Sequence, residues 1–463
     1  MIKQMTSQKK RDGGIIKFSL YIFKFILITK VLIFLSFETI AKTNKSFYVI
    51  RDAEIEFFLQ NLINDLLVNK NLKINSILPR LILDENYNAF VVGDNKIYVN
   101  TGLIQNSTSK EEIQGVLAHE LGHLFLGHIQ SRKLKIRNNN KKIFVSTIAF
   151  LGLALGKEQN LSGVLIATQD LMKKNQSKFS KHQELEADIY AINSLNNMNV
   201  SLLGMQNFHV KAKSKQDILG SPYQQYYSTH PSSEERLNLI KNFIRENPTK
   251  LSTNLNFKTF SINLETLKLK TFVYHKNLSK LESIQDYEET KLQNYLELSK
   301  LYLRGDIKNS IRLAEELKKS EPQNPYNYLL SGDINVQSNK LDKAISEYKY
   351  AIKLINKNTL NALPKISLAK ALIKKENEYS LVEALNILEE IMPYESSTTF
   401  FWRLIAEASG KLKLKSKAYI ALAEEQILKK NIKKAKQFAL LGLQDKKLDF
   451  IYKLRAEDIL NLK

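Results

Sequence analysis

The sequence predicts a mostly helical α+β domain with a small antiparallel sheet, followed by an all-α solenoid of helical hairpins. Three observations carry that reading. A helix-period stretch around Val116–Leu124 holds two histidines four residues apart. Three short alternating runs between residues 74 and 100 read as strands. From residue 287 onward, small residues recur at the spacings of a helical-hairpin repeat of about 34 residues.

At 463 residues the chain exceeds one ordinary core, so two or three domains are expected. The segments read as 1–41, a signal peptide or membrane anchor; 46–243, the α+β domain; 244–286, a linker; and 287–463, the repeats. Lys9, Lys10 and Arg11 precede an apolar run from Ile15 to Phe37, interrupted by Lys17, Lys24 and Lys30. Val31–Phe37 has the length of a signal-peptide core, with Thr39-Ile-Ala41 as a cleavage site. The whole run also has spanning length, which keeps an uncleaved anchor as the rival. Either way the rest of the chain is expected outside the inner membrane.

The next elements follow from periodicity. Ser46–Asn71 reads as a helix, with Ile55, Phe58, Leu62, Ile63 and Leu66 on one stripe. Ile74–Leu83, Asn88–Val92 and Lys96–Asn100 read as strands, with turns at Asp84–Tyr87 and Gly93–Asn95. Asn88, Ala89 and Phe90 are the candidate edge strand for an extended peptide, bound through main-chain hydrogen bonds. The alternative is a meander that covers the core.

Thr108 and Glu111 then suggest a capping box for a helix whose apolar face is Ile113, Val116, Leu117, Leu121 and Leu124. Four-residue spacing turns His119 and His123 onto one helix face, and Glu120 between them is placed to act on a water held by the same metal. This is the zincin arrangement, with one zinc per chain. The helix is read on to His128, which then faces away from the ligands as a structural residue. Ile143–Leu155 and Leu161–Leu171 are apolar patches too short to span a bilayer. They read as a packed hairpin, with contact to a membrane or to unfolded substrate as the alternative.

Further on, Glu184 and Asp188 again stand four apart: a carboxylate ligand and a partner for a ligand's second ring nitrogen. On helical spacing His182 and Glu186 point elsewhere, and His209 and His275 belong to no motif. The repeat signal comes from Pro322 and Pro325, then Tyr328, Gly332, Ala344, Tyr348 and Ala351. Ala406 with Ala418, and Ala423, Ala435 and Gly442, echo it, with degenerate units around Ser367–Leu388. These are tetratricopeptide-like positions, and such solenoids bind protein segments.

His119-Glu-Leu-Gly-His123 followed by Glu184-x-x-Ala-Asp188 resembles zinc metallopeptidase family M forty-eight. Asn88-Ala-Phe90 with Ile97–Leu103 resembles the strand pair before that family's metal helix. Thr229-His230-Pro231, with Arg236, resembles its downstream segment. The resemblance runs from Arg51 to Phe243. It implies a zinc endopeptidase with His119, His123 and Glu184 as ligands and Glu120 as general base. His230 would either stabilise the oxyanion or occupy the open metal position and keep the enzyme latent. A plain turn capping the next helix is the third possibility. Arg236 would pair with a carboxylate or the oxyanion. Repeat-bearing periplasmic members imply misfolded or stalled envelope proteins, outer-membrane β-barrels above all, as substrates. The repeats would then recruit substrate or the assembly machinery.

Composition narrows the alternatives. No cysteine means no disulfide and no thiolate ligand, which fits an oxidising compartment without establishing one. The net charge of +22 comes from scattered lysines in a chain rich in Asn, Ile and Leu. No RNA-binding motif or Arg-rich patch accompanies it, so no nucleic-acid partner is expected. A protease embedded in the membrane would need several long apolar spans, and this chain offers one at most. The remaining rival is a non-catalytic, chaperone-like scaffold whose metal site is plugged by His230.

Overall fold

The computed structural model describes residues 48–67, 77–92, 95–129, 179–215, 218, 221–222, 226, 230–231, 234–247, 262–355, 362–445 and 448–462. The N-terminal apolar run, Ile143–Leu155 and Leu161–Leu171 lie outside them. Among the described residues, no helix is long and apolar enough to cross a membrane.

The first half begins with β1 (Val49–Ile50) and α1 (Ala53–Leu67). Asp52 starts that helix by accepting the Ile55 N–H at 2.8 Å. The five apolar stripe residues of α1 are all buried, each burial contributing roughly 1.5–3 kcal/mol. Then come β2 (Leu78–Ile82), β3 (Ala89–Val91) and β4 (Lys96–Asn100), followed by α2 (Thr101–Asn106) and α3 (Lys110–Phe125). Next are α4 (Lys181–Asn197), α5 (Leu203–Lys215) and α6 (Glu234–Glu246).

The sheet order is β1-β2-β4-β3, and it is mixed rather than antiparallel as expected. β1/β2 and β3/β4 are antiparallel, but β2 and β4 run parallel, with Arg80 opposite Tyr98. Alternation reports which face a side chain takes, not which strand lies beside it. What seats β4 between β2 and β3 is Thr101 at its end. Its hydroxyl donates to the Asp84 carbonyl at 2.8 Å, and the Gly102 N–H reaches the same oxygen at 2.8 Å. The ends of β2 and β4 are thereby pinned together.

The second half corrects the expected linker over 244–286. Asn263 accepts the Glu265 N–H at 2.8 Å and starts α7 (Leu264–Tyr274), and α8 (Leu278–Glu282) follows. Leu267, Leu269 and Leu281 are fully buried, so residues 264–282 are packed structure. Polar surface residues hid three apolar anchors from a composition-based reading.

Among the described residues ten helices follow: α9 (Thr290–Arg304), α10 (Ile307–Ser320), α11 (Pro325–Gln337), α12 (Leu341–Leu354) and α13 (Ala362–Lys375). Then come α14 (Glu378–Glu395), α15 (Thr399–Lys411), α16 (Lys415–Leu428), α17 (Ile432–Gly442) and α18 (Phe450–Asn461). Each packs on its chain neighbour, giving a tetratricopeptide-like stack of hairpins. Gly332 shows why small residues recur: a Cβ there would sit 2.4 Å from the Tyr348 ring across the α11–α12 contact. The stretch read as degenerate, Ser367–Leu388, is an ordinary hairpin of α13 and α14.

Both halves belong to one compact unit from Phe47 to Lys463. Phe57 of α1 meets Tyr326 of α11 with ring centroids 6.0 Å apart. Arg51 donates to both Glu395 oxygens at 2.9 and 3.0 Å. A cleft of about 700 Å³ lies at this junction, with Arg51, Tyr98, Asp333, Lys370 and Phe400 in its wall.

Candidate metal centre

Helices α3 and α4 build the site. Ser109, one residue after the expected cap, accepts the Glu112 N–H at 3.3 Å and starts α3. Thr108 instead gives its N–H and hydroxyl to the Glu112 carboxylate at 2.9 and 2.8 Å. Ser180 and Gln183 form a capping box that starts α4. Gly122 lets the two helices meet: a Cβ there would lie 3.0 Å from the Ala187 Cα and carbonyl oxygen. That approach carries Glu184 and Asp188 to the histidines.

The Nε2 atoms of His119 and His123 are 3.0 Å apart. Glu184 Oε2 lies 3.4 Å from His119 Nε2, and Oε1 lies 3.5 Å from His123 Nε2. His230 Nδ1 is 3.4 Å from His119 Nε2 and 3.2 Å from Glu184 Oε1. The four side chains are buried, and each offers a ligand atom within 4.8 Å of the others. Two imidazole nitrogens at 3.0 Å share at most one proton, and a carboxylate brings none. Nitrogen and oxygen lone pairs thus converge on one point, and that donor set fits a divalent metal, zinc in particular. Glu120 stands at the edge of this group, its Oε1 3.4 Å from His230 Nε2.

Behind the ligand atoms is a second layer. Asp188 Oδ1 is 2.8 Å from His119 Nδ1. Arg236, 1% exposed, donates to Asp188 from Nε at 2.6 Å and Nη2 at 2.9 Å, and its Nη1 reaches Glu184 Oε2 at 2.8 Å. Burial would push the Asp188 carboxyl up, but the Arg236 guanidinium holds it well below the carboxylate range. Burial likewise works against Glu184, whose carboxyl His230 and the other histidines hold well down. Burial lowers His119 too, yet bonds to Asp188 and Glu184 outweigh it and raise the imidazole to about 9. His123 goes the other way: burial pushes it well below its ordinary value.

Several residues were missed or misplaced in the sequence reading. His128 does not face away. α3 stops at Phe125, and Gly127 takes φ +71°, a left-handed turn that brings His128 back beneath the site. His128 Nδ1 is 3.0 Å from His123 Nδ1. The Leu126-Gly127 pair was the available signal for this stop. Glu186 points away from the ligand atoms as expected, its side chain 42% exposed, yet it meets His128 Nε2 at 3.1 Å. His209, which belongs to no motif, is buried with Nε2 4.0 Å from Asp188 Oδ1. Phe179 stacks on His123 with centroids 3.7 Å apart, and the Tyr226 ring stacks on His230 at 4.7 Å. No local pattern marks either aromatic. His182 is 81% exposed by side chain and His275 pairs with Thr101 at 2.7 Å, both away from the ligand group.

Asn88, Ala89 and Phe90 fall on or next to β3, at the sheet edge beside α3. The Asn88 carbonyl accepts the Asn100 N–H at 3.0 Å, and Phe90 stacks on Tyr98 at 5.3 Å.

Comparison with known proteins agrees with this geometry. Residues 56–244 match Peptidase family M48. The beta-barrel assembly-enhancing protease of Escherichia coli O157:H7 is 23% identical over 352 residues, 74% of this chain and 69% of the relative. Metalloprotease LoiP of Escherichia coli strain K12 is 29% identical over 178 residues, 38% of this chain and 65% of the relative. The mitochondrial metalloendopeptidase OMA1 of Schizosaccharomyces pombe is 26% identical over 175 residues, 38% and 48% of the two chains. The first of these matches, over 74% of the chain, is longer than the α+β half, and the other two, over 38%, are not. The chain is thus a metallopeptidase whose residues 56–244 match the model of peptidase family M48.

Proposed function

We propose that this protein is a zinc-dependent endopeptidase of the bacterial cell envelope, acting on misfolded or stalled envelope proteins, outer-membrane β-barrels among them. The observation that carries the reading is the convergence of His119, His123, Glu184 and His230 on one point, with Glu120 beside them. His119, His123 and Glu184 would hold the metal. Zinc bound there supplies a Lewis acid that acidifies water and polarises a peptide carbonyl. Glu120 takes the proton of the attacking water on its carboxylate and returns it to the departing amine. Asp188 and Arg236 hold His119 and Glu184 in place. The edge of β3 at Asn88, Ala89 and Phe90 offers main-chain groups to an extended substrate.

His230 is assigned as a latch. Its Nδ1 lies 3.2 Å from Glu184 Oε1, among the ligand atoms, where it fills a fourth donor position and keeps the site closed until it moves. The repeats and the junction cleft recruit substrate or a partner complex. Support for the envelope setting is the similarity to the beta-barrel assembly-enhancing protease, together with the predicted export signal.

The test is cleavage of an unfolded reporter protein by residues 42–463, with and without a zinc chelator, beside Glu120→Gln and His230→Ala. Expected are chelator-sensitive cleavage, its loss in Glu120→Gln with about one zinc retained, and faster cleavage by His230→Ala. Zinc-loaded protein that cleaves nothing in either the parent or His230→Ala would sink the protease reading in favour of a binding scaffold.

A further inference from the structure

The two histidines of α3 are oriented by unlike means. His119 has a carboxylate, Asp188, on its Nδ1. His123 has another histidine at the same ring position: His128 Nδ1, 3.0 Å away. His128 Nε2 in turn lies 3.1 Å from Glu186 Oε2, and the same oxygen is 3.2 Å from Nδ1 of the surface residue His182.

We infer that His128 is a positioning residue for His123, locking it in the tautomer whose Nε2 lone pair faces the metal position. The direction of the relay follows from what each atom can do. Glu186 is a carboxylate and only accepts, so His128 Nε2 is the donor. A neutral His128 then has a bare Nδ1, which accepts from the His123 Nδ1–H. His123 Nε2 is left without a proton, aimed at Glu184 3.5 Å away. Reversed, the His123 proton would sit on Nε2, among His119 and Glu184, with no lone pair to offer. Phe179, stacked at 3.7 Å and 13° on the His123 ring, covers its face and keeps the imidazole from turning. The Gly127 turn is what makes the contact, since a helix continued through residue 128 would carry His128 to another face.

This inference rests on His123 holding the metal, and the experiment separates the two. Zinc affinity of the full chain is measured by competition with a chromophoric chelator for the parent, His123→Ala, His128→Leu and His128→Gln. Loss of a ligand's supporting partner costs about 10–100-fold in affinity, and that fall is expected for His128→Leu. His128→Gln keeps an acceptor and a donor and should recover to within about threefold of the parent. If His123→Ala binds zinc like the parent, the ligand assignment itself fails. If His123→Ala loses zinc while folded His128→Leu does not, the relay alone is overturned. Should His128→Leu not fold, ¹⁵N-histidine ring spectra of the parent decide. Nδ1–H on His123 with Nε2–H on His128 is expected, and the reverse pattern or a doubly protonated His128 refutes the relay.

Discussion

Two of this chain's clusters of buried charge are built on opposite rules. At the junction of the halves, Lys270 Nζ lies 3.1 Å from Asp52 Oδ2 and 2.9 Å from Glu54 Oε2. The Tyr274 hydroxyl and the Ile55 N–H also donate to Asp52. Both Asp52 oxygens meet donors there, and Glu54 shares their cation. Burial works against the Lys270 ammonium, but Asp52 and Glu54 raise it well above its ordinary value. At the metal centre, by contrast, His119, His123, Glu184 and His230 each bring one possible ligand atom within 4.8 Å of the others, the His119 and His123 Nε2 atoms being 3.0 Å apart. A cluster paired by its own opposite charges joins two pieces of chain, whereas one that gathers ligand atoms on a point offers a place to a cation.

Substitutions that hit one cluster and spare the other test this contrast. The largest effect is expected at Glu120→Gln, which removes the proton acceptor. Cleavage of an unfolded reporter should fall by about 10²–10⁴, with zinc content and urea midpoint unchanged. A variant that keeps parental cleavage would remove Glu120 from the chemistry. Lys270→Met should do the reverse. It leaves Asp52 and Glu54 buried without their cation, a loss of about 3–5 kcal/mol read as a lower urea midpoint, while zinc affinity is kept. Unchanged stability would mean that the junction cluster contributes little.

A pH series sharpens the contrast next. Burial, and then Arg236, pushes His209 down to about 3. The unfolded chain protonates this histidine near its ordinary pKa of about 6.5, while the folded chain resists. The stability it contributes is therefore complete above that pH and lost as pH falls toward 3. The slope is about 1.4 kcal/mol per pH unit. Urea midpoints at pH 7 and pH 5 should show this loss in the parent and in Lys270→Met, and a smaller one in His209→Leu, where the depressed His123 still contributes. An equal fall in all three would dismiss His209 as the cause. The smallest effect is expected on the repeat surface. Arg312 and Glu316 pair at 2.6 Å with side chains 60% and 40% exposed. Arg312→Ala should cost about 0.3 kcal/mol and leave zinc binding alone, and a loss several times larger would mean that the pair is not simply solvated.

Much of the α+β half was readable because its signals are local. The stripe from Ile55 to Leu66 repeats at helical period and is buried in α1. The hairpin residues Gly332 and Tyr348 followed from spacing and meet across α11 and α12. The linker was misread because Leu267, Leu269 and Leu281 are spread among polar residues and are buried by distant elements: Leu267 joins the core of the first half, and Leu269 and Leu281 join that of the helices after them.

By itself, the sequence determined which residues could be ligands. Four-residue spacing puts His119 with His123, and Glu184 with Asp188, on single helix faces wherever those helices dock. Only the tertiary structure decided what stands behind each donor. Asp188, 69 positions from His119, reaches it at 2.8 Å, and Arg236 is 48 positions from Asp188. His128 is five residues from His123, yet its contact depends on where α3 stops and on the φ of Gly127. The parallel β2–β4 pairing and the stacking of Phe179 on His123 were also decided there. Helical period is a property of neighbouring residues, whereas hydrogen-bond partners and ring stacks across such separations exist only once the core has closed around them.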